Sequence, residues 1–321
     1  VFAQTQIWTA SGFLDSVGTS GNYKLMADIN LGDLGERTSA IISSFYGTFD
    51  GNGKTITYQA SFSGSSRNRS YGLFGSVSGT IDSLNVNGSV TLSGTGSSMN
   101  VALLCGTLSN GGVIEYCNVS GNVNSTVNPT EDGYGSNAGL IVGTSSGTVR
   151  YCIGTGNVVG VGYAGGLIGQ MNNGSIANAC SFTGSVTANT PHVQNTNNLS
   201  YGYGSYAGGI CGAMRSGAEI IFCVVNADIQ SETRTSGVGS TAGTAGGFFG
   251  GNGTQNDDVS IELTNSYAAG NLNGNAVHDT TMTNGSGTIT PTYYEGEILS
   301  GGQEYDPYAI VTALNNAIPE E

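Results

Sequence analysis

One short, glycine-bounded apolar motif occurs six times in this chain and constrains its fold more than any other feature. The copies are Gly72-Leu-Phe-Gly75, Leu103-Leu-Cys-Gly106, Gly139-Leu-Ile-Val-Gly143, Gly166-Leu-Ile-Gly169, Gly209-Ile-Cys-Gly212 and Gly247-Phe-Phe-Gly250. Their closing glycines lie 26 to 43 residues apart. A repeat of this period is typical of solenoids, propellers and repeat arrays, in which each unit buries its apolar face against its neighbours.

A second motif follows each copy of the first at a nearly constant distance. Ile114-Glu-Tyr-Cys-Asn-Val-Ser-Gly121 is one example. The apolar runs of both motifs are too short for helices and are bounded by Gly, Asn and Ser, which predicts a unit of two short strands with a glycine turn between them. The insertion after the second strand varies from residues 157–162 to residues 189–205. Insertions at one point of a repeat predict loops on one side of a stack.

Four of the six cysteines occupy the same place in the second motif. They are Cys117, Cys152, Cys180 and Cys223. Because equivalent positions of stacked units lie above one another, we expect an interior ladder of free thiols that pack as small hydrophobic side chains. Disulfides stay open as an alternative. The spacings of 35, 28 and 43 residues match no zinc pattern and the chain has only two histidines, so we predict no metal and no cofactor.

The charge and hydropathy of the chain limit the kinds of molecule that it is expected to bind. The chain carries 22 acidic against 8 basic residues, a formal net charge of -14, which would repel a phosphate backbone. Nucleic acid is therefore not an expected partner. No apolar run approaches the length of about 20 residues that a membrane span needs, so we expect no membrane insertion of this segment. Val1-Phe-Ala3 has the small residues of a signal cleavage site, which favours export.

Short elements are predicted to cover both ends of the repeat. Residues 11–17 read as a helix that begins after a serine cap, and residues 23–31 read as one half-buried strand. Asp50-Gly-Asn-Gly53 reads as a tight turn between two strands. Towards the end, residues 292–299 predict a last strand, and residues 306–315 predict a closing helix with Asp306 as its cap.

Three segments together resemble the GLUG-motif family over roughly residues 7–272. They are Tyr23-Lys-Leu-Met-Ala-Asp-Ile-Asn-Leu31, Gly47-Thr-Phe-Asp-Gly-Asn-Gly-Lys-Thr-Ile56, and the repeated Ala-Gly-Gly-Leu-Ile-Gly with Tyr-Cys-x-x-x-Gly-Asn-Val. The resemblance implies a right-handed parallel β-helix in exported or surface-anchored bacterial proteins. Many such proteins are called adhesin-like, and the repeat also accompanies some secreted peptidases as a non-catalytic segment. The family motif contains no catalytic residues, so none are assigned here.

We therefore predict an all-β chain, a right-handed parallel β-helix with short helical caps at its N- and C-terminal ends. Residues 1–60 would form the N-terminal cap and first coils, residues 61–272 the GLUG-type repeats, and residues 273–321 the last coils and the closing helix of one continuous domain. The abrupt end at Glu321 suggests one module of a longer protein.

Tyrosines in the variable insertions, just before the glycine-bounded motifs, are the candidate binding residues. They are Tyr134, Tyr163, Tyr201, Tyr203 and Tyr206. Aromatic faces and hydroxyls suit sugar rings or a protein surface, although such rings can equally pack over the outside of the coil. The predicted function is an adhesin-like module, secreted or on a bacterial cell surface, that binds a glycan or a host or cell-surface protein without catalysis.

Two alternatives remain open at this point. The first is a polysaccharide-active hydrolase or lyase, which would need paired carboxylates or a base with Ca²⁺. The densest acidic groups are Asp257 and Asp258 with Glu262, and Glu131 with Asp132. The second alternative is a non-catalytic scaffold segment of a larger secreted peptidase.

Overall fold

The computed structural model describes residues 4–129, 135–189, 205–232 and 243–252, followed by the segments 262–264, 266–270, 272–273, 276–277, 288–290 and 293–295. Within them the chain winds repeatedly past the same three sheets. One passage round the sheets is called a coil below. Every strand pairing between these residues is parallel, as a β-helix requires.

Sheet 1 takes one short strand from each coil. Its strands are Thr5–Ile7, Asn22–Leu25, Thr48–Asp50, Thr80–Asp82, Val113–Glu115, Thr148–Arg150, Ile176–Asn178, Glu219–Ile221, Glu262–Thr264 and Thr288–Thr290. Sheet 3 also has short strands. They are Ile42–Phe45, Phe74–Val77, Cys105–Leu108, Val142–Ser145, Ile168–Met171, Cys211–Met214 and Phe249–Asn252.

Sheet 2 contains the longer strands. They are Ile29–Arg37, Thr55–Gly64, Asn85–Gly94, Asn118–Ser125, Ile153–Gly165, Ser181–Asn189, Val224–Ser231, Tyr267–Ala269, Leu272–Asn273 and Tyr293–Glu295. A side ladder continues from the C-terminal ends of its strands. Its strands are Ser70–Tyr71, Met99–Ala102, Ser136–Gly139, Tyr206–Gly208, Thr244–Gly246 and Ala276–Val277. The strand Ile153–Gly165 pairs in both parts and joins them into one sheet.

The predicted all-β parallel β-helix is confirmed, but the predicted two-strand unit is wrong in detail. Both motifs are corners of the coil. Gly72 and Leu73 turn the chain from the side ladder into sheet 3, and Ser83 and Leu84 turn it from sheet 1 into sheet 2. A complete coil therefore passes through sheet 3, sheet 1, sheet 2 and the side ladder.

The closing glycine of the first motif allows two backbones to meet. A Cβ on Gly143 would lie 2.7 Å from the amide nitrogen of Val101 in the side ladder of the preceding coil. No side chain fits in that gap. The strands of sheet 3 can therefore fold back against the side ladder.

A short helix covers the N-terminal end of the stack. It spans Ala10–Ser16, and its cap is Thr9, whose Oγ1 accepts a hydrogen bond from the amide of Gly12 at 3.0 Å. The predicted serine cap is thus wrong, and the helix begins one residue earlier. Phe13 is fully buried, with ring centroids 5.8 Å from Phe49 and 6.4 Å from Phe74 in edge-to-face arrangements. The helix therefore closes the apolar interior with one aromatic side chain.

The remaining local predictions have mixed outcomes. The predicted strand 23–31 is divided between Asn22–Leu25 in sheet 1 and Ile29–Arg37 in sheet 2, with a corner at Asp28, whose Oδ1 accepts from the amide of Thr55 at 2.8 Å. The predicted turn after Asp50 is present, but it joins sheet 1 to sheet 2 and is not a hairpin turn. The strand Tyr293–Glu295 lies within the predicted last strand. The predicted closing helix, residues 306–315, lies outside the described residues.

Candidate functional site

The length variation of this chain falls at one corner of the coil. The strands of sheet 2 end at Gly64, Gly94, Ser125, Asn189 and Ser231, and the side ladder resumes at Ser70, Met99, Ser136, Tyr206 and Thr244. We call this the insertion corner. In one coil the insertion is missing altogether, because the strand Ile153–Gly165 continues through it. The described strand ends that flank these insertions therefore lie along one side of the stack.

Two of the five candidate tyrosines lie side by side at this edge. The rings of Tyr163 and Tyr206 are stacked, with centroids 5.2 Å apart and planes within 10°. The prediction that both lie in insertions is wrong, because Tyr163 lies inside the strand Ile153–Gly165 and Tyr206 begins the strand Tyr206–Gly208. Tyr206 is half-buried and Tyr163 is fully buried. The ring of Tyr163, in the preceding coil, thus packs against one face of the Tyr206 ring. Tyr134, Tyr201 and Tyr203 lie outside the described residues.

The tyrosine pair continues a row of polar side chains on the side ladder. Strand register places Asn100 beside Asn137, and Asn137 beside Tyr163. Asn137 is buried, and its Nδ2 donates to Asn100 Oδ1 at 2.9 Å and to Thr144 Oγ1 at 3.0 Å. Thr144 Oγ1 in turn donates to Asn100 Oδ1 at 2.6 Å. The row is therefore held in place by hydrogen bonds across the fold between the side ladder and sheet 3.

A guanidinium lies at the end of this row. Gln170 follows Tyr163 by seven residues, the interval that also separates Asn137 from its partner Thr144. With its amide oxygen turned towards Arg215, Gln170 accepts from Nε at 2.6 Å and from Nη2 at 3.0 Å. Gln170 is buried and Arg215 is exposed. Amides, hydroxyls, an aromatic face and one cation can bind hydroxyl-rich or peptide ligands, and none of them is a general acid or base at neutral pH.

The four cysteines of the second motif lie in the interior on successive coils. Hydrogen bonds from Ile153 N to Cys117 O, from Ser181 N to Cys152 O and from Val224 N to Cys180 O link these coils at 2.9 to 3.0 Å. All six cysteines of the chain are buried and none is in a disulfide. Burial raises the pKa of the Cys152 and Cys223 thiols well above the ordinary value. These thiols are packing groups of the core and present no nucleophile to solvent.

The acidic residues that an enzyme would need are only partly within the described structure. Residues 131–132 and 257–258 lie outside it. Two carboxylates within it are paired with cations, Asp50 with Lys24 at 2.7 Å and Glu115 with Arg150 at 2.6 Å. Over the described ranges, no group of three or more His, Cys, Asp or Glu side chains is arranged to hold a metal ion. The helix found in those ranges is too short to cross a membrane.

One surface pair was missed by the sequence analysis. Tyr116 and Tyr151 stack on the outside of the corner between sheets 1 and 2, which is a different corner from the one that carries the insertions. The available signal was the dipeptide Tyr-Cys, which occurs in two successive copies of the second motif. A residue that precedes an interior cysteine at a corner must point outwards.

Comparison with known proteins bears on the fold alone. No family model matches the chain, and no curated protein matches it. The crystal structure of a putative immunoglobulin A1 protease from Bacteroides ovatus is similar, with a TM-score of 0.54 and 19% sequence identity over 91% of this chain and 83% of that chain. At this identity the likeness shows a shared architecture and not a shared activity. The resemblance to the GLUG-motif family stays a prediction.

Proposed function

We propose that this chain is a non-catalytic, adhesin-like β-helix module, secreted or displayed on a bacterial surface, which binds a glycan or a host or cell-surface protein along its insertion corner. The observation that carries the proposal is the stacked pair of Tyr206 and Tyr163 at the edge from which the insertions emerge. An aromatic ring held by a second ring costs little side-chain entropy when a ligand packs against it.

The surroundings of the pair support the same function. The exposed guanidinium of Arg215 lies beside the amide of Gln170, and the asparagine row holds the neighbouring strands in a fixed arrangement. Hydroxyl-bearing ligands are bound by such a mixture of ring faces, amides and a cation. The parallel sheets keep the strand ends that flank successive insertions about 4.8 Å apart per coil, so one extended ligand would span several coils.

The experiment is a glycan array with the purified chain and with the triple variant Tyr201→Ala, Tyr203→Ala and Tyr206→Ala. Tyr46→Ala is the matched control, because Tyr46 is 60% exposed but lies at the corner between sheets 3 and 1. We expect the triple variant to lose binding, the control to keep it, and the glycans to stay intact. If no glycan binds, the same three proteins are tested for adhesion to host cells, and equal adhesion by all three would reject the insertion corner as the binding surface.

A second candidate function rests on the structural comparison. The similar structure belongs to a protein that its name describes as a putative immunoglobulin A1 protease, and this chain covers 83% of it. The chain could accordingly serve as a scaffold segment of a larger secreted peptidase. Incubation of immunoglobulin A1 with the chain, followed by electrophoresis, separates these cases. Cleavage by the chain alone would reject a non-catalytic module, and cleavage of array glycans would instead favour the polysaccharide-active alternative.

A further inference from the structure

Two tyrosines form an exposed aromatic platform on the corner between sheets 1 and 2. Tyr116 is 54% exposed and Tyr151 is 37% exposed. Their rings are stacked with centroids 4.9 Å apart and planes within 11°, so the distance between them equals one strand spacing. One face of each ring therefore contacts the other ring, and the second face points away from it along the stack.

The fold does not require aromatic residues at this corner. Tyr116 and Tyr151 have φ angles of 53° and 54°, and Ser83, Ala179 and Phe222 occupy the same corner of other coils with φ of 51° to 52°. At Ser83, Tyr116, Tyr151 and Ala179 the corner amide donates to a carbonyl of the next coil, as in the bond from Tyr151 N to Asn178 O at 3.0 Å. A small residue meets this backbone requirement as well as a large one. Bulky residues are uncommon at positive φ, which makes the two tyrosines notable.

The corner of the coil that follows the platform carries only the methyl group of Ala179. Phe222 occupies the same corner one coil later and is half-buried. Two coil spacings separate the positions of Tyr151 and Phe222, which is about 9.6 Å. That interval equals two aromatic stacking distances of about 4.5 to 5 Å. We call the space over the Ala179 methyl group the slot, and this spacing would accommodate one ring-shaped group in it.

Polar side chains border the platform on sheet 1. Glu115, Arg150 and Asn178 are in register on consecutive strands, each directly before its corner residue. Arg150 Nε and Nη2 lie 2.7 Å and 2.6 Å from Glu115 Oε2. A carboxylate, a guanidinium and an amide beside an aromatic face provide both acceptors and donors for ring hydroxyls. The net charge of -14 disfavours a nucleotide or nucleic acid in the same place.

We propose that Tyr151, Ala179 and Phe222 form a binding subsite for one pyranose ring of a glycan. The apolar face of the sugar would stack on the free face of Tyr151, and its hydroxyls would bond to Arg150 and Asn178. This subsite lies at a different corner from the insertions. It does not depend on the function proposed for the insertion corner.

The test uses two variants, one that removes the aromatic ring and one that fills the space beside it. Tyr151→Ala removes the platform, whereas Ala179→Tyr fills the slot with a residue that the same corner already accepts in two coils. Tyr46→Ala is again the control, and thermal unfolding of each variant checks that the fold is intact. The probe is an array of pyranose-containing oligosaccharides, followed by titration with the one that binds best. We expect both variants to weaken binding about tenfold or more, while the control is unchanged.

Several results would overturn the subsite. Unchanged glycan affinity in Ala179→Tyr would show that no ligand occupies the slot. If no oligosaccharide on the array binds, a pyranose ring is rejected as the ligand. Loss of binding in the Tyr201, Tyr203 and Tyr206 variant alone leaves the insertion corner as the only site. Loss in Tyr151→Ala and Ala179→Tyr alone supports the subsite and rejects the insertion corner. Sensitivity of a protein partner, and of no glycan, to these variants would replace the sugar by a protein ligand.

Discussion

Gly121 lies directly against the backbone of Gly88 in the preceding coil, so that a Cβ added to Gly121 would overlap the carbonyl oxygen of Gly88. Its φ is 140°, a conformation that is essentially restricted to glycine. We therefore expect Gly121→Ala to lower the free energy of unfolding by about 3 kcal/mol or more, since conformational strain and the clash act together.

Gly111→Ala is the matched control for this substitution. Gly111 also has a positive φ, 80°, but nothing lies within 4 Å of the Cβ position. Its expected loss is about 1 kcal/mol. Urea unfolding curves followed by circular dichroism measure both values, and equal losses would show that the close approach of the two coils has no energetic weight.

Phe13 is expected to be the main anchor of the N-terminal helix. Phe13→Ala removes the edge-to-face contacts with Phe49 and Phe74 and opens a cavity at the end of the interior. The expected loss is about 3 to 5 kcal/mol. Leu14→Ala, at the adjacent and 44% exposed position, should change stability by less than about 0.5 kcal/mol. Thermal unfolding of the two variants decides the point, because similar melting temperatures would mean that the helix does not close the stack.

Cys152 and Ile153 are neighbours in sequence with opposite surroundings. Cys152 is fully buried, and Ile153 is 50% exposed. Cys152→Asp would place an unpaired charge between coils, so we expect loss of soluble folded protein or a large fall in the melting temperature. Ile153→Asp should leave the melting temperature almost unchanged. A folded Cys152→Asp variant with the melting temperature of the parent would contradict the interior position of this row.

Alkaline pH should destabilise the chain through its buried thiols. Burial raises the pKa of Cys105 and Cys211 above the ordinary value of 9.0. Below pH 9 the thiols are protonated in both the folded and unfolded states, and this contribution is fully present. Above pH 9 the unfolded chain releases these protons and the folded chain keeps them, so the free energy of unfolding falls as pH rises.

The expected slope is about 1.4 kcal/mol per pH unit for each such thiol. The double variant Cys105→Ala and Cys211→Ala removes two of them, and its stability should fall less steeply between pH 9 and 10.5. Chemical unfolding at several pH values measures the two slopes. Parallel slopes would show that these thiols ionise equally in the folded and unfolded states.

Much of the fold could be predicted from the sequence because a stacked coil repeats its chemistry. Cys117 and Cys152 stand at the same place in two copies of a motif, and in-register stacking is the arrangement that puts both in the interior. Insertion lengths likewise located the variable corner. The number of strands in each coil was harder to predict. The strands of sheet 2 and of the side ladder lack a sequence motif as regular as the glycine-bounded motifs at the corners.

The individual side chains of the candidate site could not be predicted in the same way. Tyr163 was predicted to lie in an insertion, but a coil without an insertion continues as a strand, and register then buries its ring between Asn137 and Tyr206. Tyr116 and Tyr151 are exposed at a corner whose backbone has a positive φ. That angle depends on the bonds between coils and not on local sequence preferences.

The uniform row of interior thiols makes neighbouring coils interchangeable. Thr148 in one coil is paired with Ile176 in the next, at the same position of sheet 1. Deleting residues 148–175 would therefore join residue 147 to a strand that fits the vacated place, with Cys117 then facing Cys180. We expect such a deletion to shorten the stack by one coil, about 4.8 Å, while the strand register of the remaining coils is kept. Such a protein can change its reach by duplicating or losing one segment of its gene.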